Sequence, residues 1–582
     1  MLKSLQSLMT SMRYNLLFVF LLASLVAWSG CDGIANLDVE NPNAPDADRA
    51  ITDPSDLQSI LVGAYSSWWN GSYSNTPQSV PQPHLDGWAD AQTTTNAFRG
   101  FWNVAVDEPR AQFPNTLSFG DLSIVSNPWS NLNSAISSAN DVIRQIEEND
   151  FEVIIDGNDE TPETLAGAYF VRALSYGHLA NYFDQAYIVP PDYDPEFDDR
   201  IEFSDYQAVL AQARSDFDQV RSIAQEPGFS GLDGSLLPFS IDPGPGRLVE
   251  MANSFEARFI VSNPRTPAEN DAVDWGVVQT LAQNGIQDDI IIELDGQSWS
   301  NNYQYISGLY WYWRVDNRII NMMDESYPIK YPADRAGSAL DPAQSDDARL
   351  CPASGEETQG SGIATARELG CYFVYDTDQS FFTESRGRTL QSNYWYGRDF
   401  VDQQWNETPF AAGPSPIFLA EENRLMEAEA AIRGAGDVAG AVGIVNSGSR
   451  VNAGQLEPLG TGISADEALK AIYYERDIEL YRTGMGLPFW DLRRTGRMQA
   501  GTPLHLPVPA TELQTIGEEL YTFGGVSNAG QPGTASGDNA WCDEGELSCD
   551  GPFEAPSAPA VMEGLMLPAG TPATDGRTFP QR

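Results

Sequence analysis

Between Thr161 and Phe183 the chain carries Ala166, Tyr169, Ala173, Tyr176 and Leu179, small and aromatic residues recurring at intervals of three and four. That period predicts a long helix whose mixed face interlocks with a second helix, as in hairpins of tetratricopeptide type. Thr161 reads as the N-cap, with Pro162 at the first helical position. Four more segments share the helical period and lack an interior proline: Leu57 to Trp69, Trp129 to Glu148, Tyr206 to Gln225 and Leu248 to Val261. No strict repeat of about 34 residues is visible, so the pattern supports divergent helical pairs. The expectation is a mostly α fold.

From about 286 to 415 the texture changes to Gly, Pro, Ser and aromatic residues, which reads as a loop-rich insertion with short strands. Helical spacing returns at Ile417 to Arg433, where Phe418, Leu425, Ala428 and Ile432 form one stripe. Ser464-Ala465-Asp466-Glu467 is a capping box opening the next helix, and Gly484 reads as its C′ stop. This divides the chain into an export segment (1–30), an N-terminal helical block (31–285), the insertion (286–415) and a C-terminal helical block (416–582). The stretch beyond 520 reads as surface loop.

Lys3 and Arg13 precede an uninterrupted apolar or small run from Leu16 to Trp28. It is too short to span about 30 Å of hydrocarbon but suits the apolar core of a signal peptide. The run ends in Ser29-Gly30-Cys31, like a bacterial lipoprotein processing site, so Cys31 is the expected lipidated first residue. The alternative is ordinary cleavage nearby with Cys31 a free thiol. Four cysteines remain, and an even count in an exported chain favours two disulfides, with Cys351–Cys371 and Cys542–Cys549 the local pairing. A zinc site is the rival reading, but no histidine lies near these cysteines.

The sequence holds 82 acidic and 33 basic side chains, a formal net charge of −49. Such a surface repels phosphate backbones and excludes nucleic acid as a partner. Lys3, Lys330 and Lys470 are the only lysines. At about 1 M salt the Debye length falls to about 3 Å and the self-repulsion largely disappears, so the composition suits strong brine.

Catalytic signatures are scarce. There is no G-x-S-x-G elbow and no G-x-x-x-x-G-K loop, and His84, His178 and His505 are isolated from one another. Neighbouring acids such as Asp107-Glu108 and Glu421-Glu422 are expected by chance in so acidic a chain, and read as solvated surface or helix-terminal charge. Arg476 lies on an apolar stripe with Leu469, Ile472, Tyr473 and Leu480, where a guanidinium needs a carboxylate. Glu475, Glu479 and Asp491 are the candidates, and a structural ion pair is favoured over an active-site role. No cofactor is expected, although whether an acidic loop holds Ca²⁺ stays open.

Several segments together resemble one family. Tyr474-Glu475-Arg476-Asp477-Ile478-Glu479-Leu480-Tyr481, followed by Phe489-Trp490-Asp491-Leu492-Arg493-Arg494-Thr495-Gly496, resembles the C-terminal signature of SusD/RagB-like outer-membrane nutrient-binding lipoproteins. Cys31-Asp32 leading to Asn41-Pro42-Asn43 and Leu61-Val62-Gly63-Ala64-Tyr65 is similar to the family's mature N-terminus. Ala168 to Tyr176 resembles its central helix, Glu421 to Ala430 its late helical pair, and Pro507-Val508-Pro509 its closing segment. Thr483-Gly484-Met485-Gly486-Leu487-Pro488 departs from the usual Glu-Gly-x-Arg and is two residues longer, which marks a divergent branch.

The resemblance implies tetratricopeptide-like helical pairs and a lipid anchor outside the outer membrane. It also implies a SusC-like TonB-dependent β-barrel transporter as partner, and an oligosaccharide or peptide ligand captured and released with no bond broken. A secreted glycan-degrading enzyme on a helical scaffold is the alternative, and a scaffold for protein partners a third. Sugar recognition needs flat apolar faces with amides and carboxylates around them. Two aromatic clusters fit. One holds Trp88, Phe98, Phe101 and Trp102 near Asp86, Asp90 and Asn96; the other holds Trp299, Tyr303, Tyr305, Tyr310, Trp311 and Trp313 near Asn301, Asn302 and Arg314. Trp395 is a further candidate. The competing reading packs most of them in the core, with Tyr310 to Trp313 a strand.

Overall fold

The first described helix, α1 (Pro54–Ser72), opens on a complete capping box: the Asp53 carboxylate accepts the Ser55 N–H, and Asp56 accepts the Asp53 N–H in return. In this computed structural model the described residues are 53–73, 81–94, 110–194, 198–240, 242–301, 303–304, 313–330, 339–353, 366, 368–377, 391–398, 400, 411–484 and 486–537. All of them belong to one compact unit.

Helices dominate. After α1 come α2 (Gln82–Trp88), α3 (Ser123–Glu147), α4 (Thr161–Tyr182), α5 (Tyr206–Ile223), α6 (Pro245–Ser262) and α7 (Trp275–Gln283). Then follow α8 (Asn317–Met323), α9 (Ala420–Ala435), α10 (Val438–Ser447), α11 (Ala465–Ile478) and α12 (Leu487–Arg494). They pack as neighbours in tetratricopeptide-like fashion, α1 on α3, α3 on α4, α4 on α5, α7 on α9 and α9 on α10. The helix α4 is buried along nearly its whole length, which is why its sequence is apolar or small on every face. Close approach sets one residue there. A Cβ on Gly177 would stand 2.4 Å from ring carbons of Phe259 on α6, so only glycine lets these helices meet.

The strands are short. β1 (Gln92–Thr94) pairs antiparallel with β3 (Trp313–Val315), β2 (Ile290–Asp295) with β6 (Ala412–Phe418), and β4 (Phe373–Tyr375) with β5 (Tyr394–Tyr396). The β2–β6 ladder joins the two ends of the Gly- and aromatic-rich stretch, with Ile290 opposite Phe418 and Asp295 opposite Ala412.

Several local expectations need correcting. The third helix begins at Ser123 and takes in Pro128 at its sixth position, where the ring removes the N–H that would donate to Ile124 O. Thr161 is helical, with Glu160 as the N-cap residue. Ile417 and Phe418 belong to a strand, and the helix starts at Ala420. Ser464 does cap α11 with Glu467, but that helix ends at Ile478, well before Gly484. Residues 520–537 are more than surface loop: Phe113 N–H donates to Phe523 O at 3.0 Å, and Gln112 bridges Gly524.

Candidate functional site

At the end of α1, Trp69 stacks on Tyr73 with ring centroids 4.6 Å apart, and Trp299 meets the Trp69 ring edge-on at 5.6 Å. Trp69 Nε1–H donates to the Ser300 carbonyl at 3.1 Å, which ties the helix end to the loop after β2. That loop is shaped by Asp295, whose Oδ1 accepts the N–H groups of Gln297 and Trp299, both at 2.8 Å. The turn holds Trp299 half-buried beside the exposed Asp295, Gln297 and Ser298. One aromatic face with a carboxylate and amide beside it is what a pyranose ring requires.

Of the other aromatic candidates, Trp88 is 0% exposed on α2, packed against Phe113 and Phe489. Trp88 thus lies on a helix rather than in an irregular loop. Tyr303 is also 0% exposed, its hydroxyl 2.5 Å from Asp86 Oδ2 and 2.9 Å from Gln92 Oε1, with the Arg482 guanidinium 4.0 Å over its ring. Burial pushes the Asp86 carboxyl up to about 6, against the pull of the Tyr303 hydroxyl and Arg482. Trp313 and Trp395 are buried in strands. None of these four presents an open face in this arrangement. Trp102, Tyr310, Trp311, Phe98, Phe101, Tyr305 and Asn302 lie outside the described residues, as do Cys31, Cys542 and Cys549. Trp69 and Tyr73 escaped sequence reading because they end a helix, although Trp68-Trp69-Asn70-Gly71-Ser72-Tyr73 concentrates three aromatics in six positions.

The C-terminal signature forms a charged hub inside the protein. Arg476 Nε donates to Asp491 Oδ2 at 2.6 Å, while Glu475 and Glu479 turn to Arg349 and Glu479 also meets Arg398 at 2.7 Å. Asp477 meets Arg318 at 2.9 Å, so four charged side chains of α11 and its cap reach four separate parts of the chain. Glu429 on α9 accepts both Nη atoms of Arg494 at 2.6 and 2.7 Å, Arg433 Nε at 2.8 Å and the Tyr473 hydroxyl at 2.9 Å. Burial would raise this carboxyl, but Arg494 and Arg433 outweigh it and hold it near about 2. Glu422 is likewise no solvated surface charge: it is 0% exposed and accepts Arg258 at 2.5 and 2.7 Å. These pairs hold the helices together. A cavity of about 520 Å³ beside the hub is lined by Arg318, Arg433, Lys470, Tyr473 and Arg497.

Cys351 and Cys371 are disulfide-bonded and pack with Ala366, Val374 and Trp395. Among the described residues no cluster of His, Cys, Asp and Glu could hold a metal ion, and no helix is long and apolar enough to cross a membrane.

Neither a protein-family model nor a curated protein matches this chain. Solved structures do. A SusD superfamily protein from Parabacteroides distasonis aligns with 80% of this chain and 98% of its own, at 14% identity and a TM-score of 0.53. A SusD superfamily protein from Bacteroides vulgatus aligns over 76% and 88% at 16% identity and a TM-score of 0.49. A SusD-like carbohydrate binding protein from Bacteroides fragilis aligns over 76% and 86% at 13% identity, also at 0.49. The first of these establishes a shared fold across nearly the whole of that protein.

Proposed function

We propose that this chain is a SusD-type nutrient-binding lipoprotein of the outer-membrane surface, anchored through Cys31, that captures oligosaccharides and hands them to a SusC-like TonB-dependent β-barrel. The observation that carries the reading is the fold shared with a SusD superfamily protein over 98% of that protein. The C-terminal signature and the three further segments, in family order along the sequence, add to it. The protein acts by binding and release, with no catalytic residue. Its test is isolation of the native protein from its own outer membrane in high salt and mild detergent. A stoichiometric large β-barrel is the expected companion, and recovery of the protein alone at native salt would overturn the capping role.

Within this reading, Trp299 is the sugar platform, with Asp295 and Gln297 as hydroxyl partners. Trp299→Ala is expected to weaken glycan binding by about fivefold to tenfold with the unfolding midpoint nearly unchanged, since the ring is only half-buried. Tyr303→Ala should behave in the opposite way. It empties a fully buried site between Asp86 and Arg482, so its effect is read in urea unfolding rather than in affinity. Unchanged affinity in Trp299→Ala, measured by calorimetry on the glycan that the wild type binds, would remove Trp299 from the site.

A further inference from the structure

Not every buried arginine meets a carboxylate, and two of the exceptions line one cavity. Arg172, Arg258, Arg318, Arg349 and Arg494 each meet a carboxylate. Arg265 and Arg493, 3% and 1% exposed, form no ion pair among the described residues. They are held instead by backbone carbonyls at two helix ends. Arg265 Nη2 donates to Ala180 O at 2.6 Å and Phe183 O at 3.1 Å, and its Nη1 donates to Asn263 O. Arg493 donates to Leu504 O at 2.8 Å, Ser262 O at 2.5 Å and Asn181 O at 3.2 Å. The carboxyl-end dipoles of α4 and α6 therefore supply part of the compensating negative charge. The Nε–H of each guanidinium has no acceptor among the described residues.

Both side chains line one cavity of about 350 Å³, together with Pro267, Met498, Leu504 and the Gly530–Ser536 turn. No carboxylate is among its described lining residues, in a chain that carries 82 acids. The nearest acids acting on Arg265 are Glu269, which accepts the Tyr206 hydroxyl and the Arg265 N–H, and Asp184, which accepts the Tyr521 hydroxyl. Burial opposes both charges and Arg265 opposes Arg493; helix dipoles and the Tyr206 and Trp490 rings compensate them in part, and an anion in the cavity would complete the compensation.

We propose that this cavity is an anion site in which a chloride ion sits against the Nε–H groups of Arg265 and Arg493. The walls of proline, methionine and leucine suit a weakly hydrated monovalent ion, and the mouth opens beside the exposed Gln531, Pro532 and Ser536. The acid-rich composition points to brine, in which chloride is the abundant ion of this kind.

The test is the chlorine NMR line width of the full-length protein titrated with sodium chloride, compared among wild type, Arg265→Gln and Ser536→Phe. Wild type is expected to broaden the line saturably. Arg265→Gln should weaken the apparent affinity about tenfold or more, through loss of a charge-assisted donor. Ser536→Phe fills the mouth from an exposed position, so it should abolish the broadening and decides the matter even if Arg265→Gln does not fold. No saturable broadening in wild type, or equal broadening in both folded variants, overturns the site. Equimolar acetate that removes the broadening makes it a carboxylate site and overturns chloride as the occupant.

Discussion

Arg349→Ala is expected to yield a chain without a cooperative unfolding transition, even in high salt. Arg349 is 0% exposed and holds Asp347 at 2.7 Å, Glu475 at 2.7 Å and Glu479 at 3.3 Å. Removing one partner of a buried pair costs about 3–5 kcal/mol, because the other charge stays buried without compensation. Here Asp347 and Glu475 are stranded together without a counter-charge, keeping the Tyr474 and Ser449 hydroxyls and the backbone N–H of residue 349, while Glu479 retains Arg398. The combined loss approaches the roughly 5–15 kcal/mol that stabilises a whole domain. Arg349 lies in the loop-rich stretch and Glu475 on α11, 126 positions away, so the same change also releases that stretch from the helices. Adding Asp347→Asn and Glu475→Gln to Arg349→Ala should restore much of the transition by removing the stranded charge. Thermal unfolding followed by circular dichroism decides it. A midpoint for Arg349→Ala within a few degrees of wild type would mean that the hub contributes little.

Stability is expected to fall by a few kcal/mol between pH 7 and pH 5, the second large effect. His84, His178 and His505 are all buried. Burial lowers His84 and His178 to about 3, and burial together with Arg265 and Arg493 puts His505 well below its ordinary value. A group whose folded pKa is depressed gives its full stability above the unfolded value of 6.5 and loses it as pH falls toward the folded value. At pH 5 His84 and His178 have each lost about 2 kcal/mol, and His505 adds a loss of the same sign. Asp86 and Asp184 oppose this. Burial raises both to about 6, so the fold gains as they protonate, about 1 kcal/mol each over the same interval. Glu429, held near about 2, stays ionised throughout and enters only below about pH 4.5. Urea unfolding at a series of pH values reads the slope, and His178→Gln should flatten it by about half or more. A stability that rises from pH 7 to pH 5 would show that the histidines are not the dominant group.

What could be read along the chain was local. The Ser464–Glu467 capping box is visible because both partners lie within one turn. The long helices are visible because their period repeats over many residues, and their ends drift only where packing extends them, as at Ser123. The short helix around Trp88 was missed, since seven residues carry too little periodicity to stand out. Arg476 announced a need for a carboxylate, and the choice among three was beyond reach. Glu475 and Glu479 are its chain neighbours, yet both point to Arg349 and Arg398 while Asp491 takes Arg476.

The sequence by itself determined a helical protein of paired helices, its acid-rich composition and the need of its buried arginines for partners. Each of these follows from residue type or from spacing within a turn or two. Only the tertiary structure decided which of 82 acids are buried, as Glu422 and Glu429 are, and which aromatic keeps a face toward solvent, as Trp299 does. Burial and pairing depend on how segments far apart in the chain come together. The same glutamate is a solvated charge on one helix face and half of a buried ion pair on another.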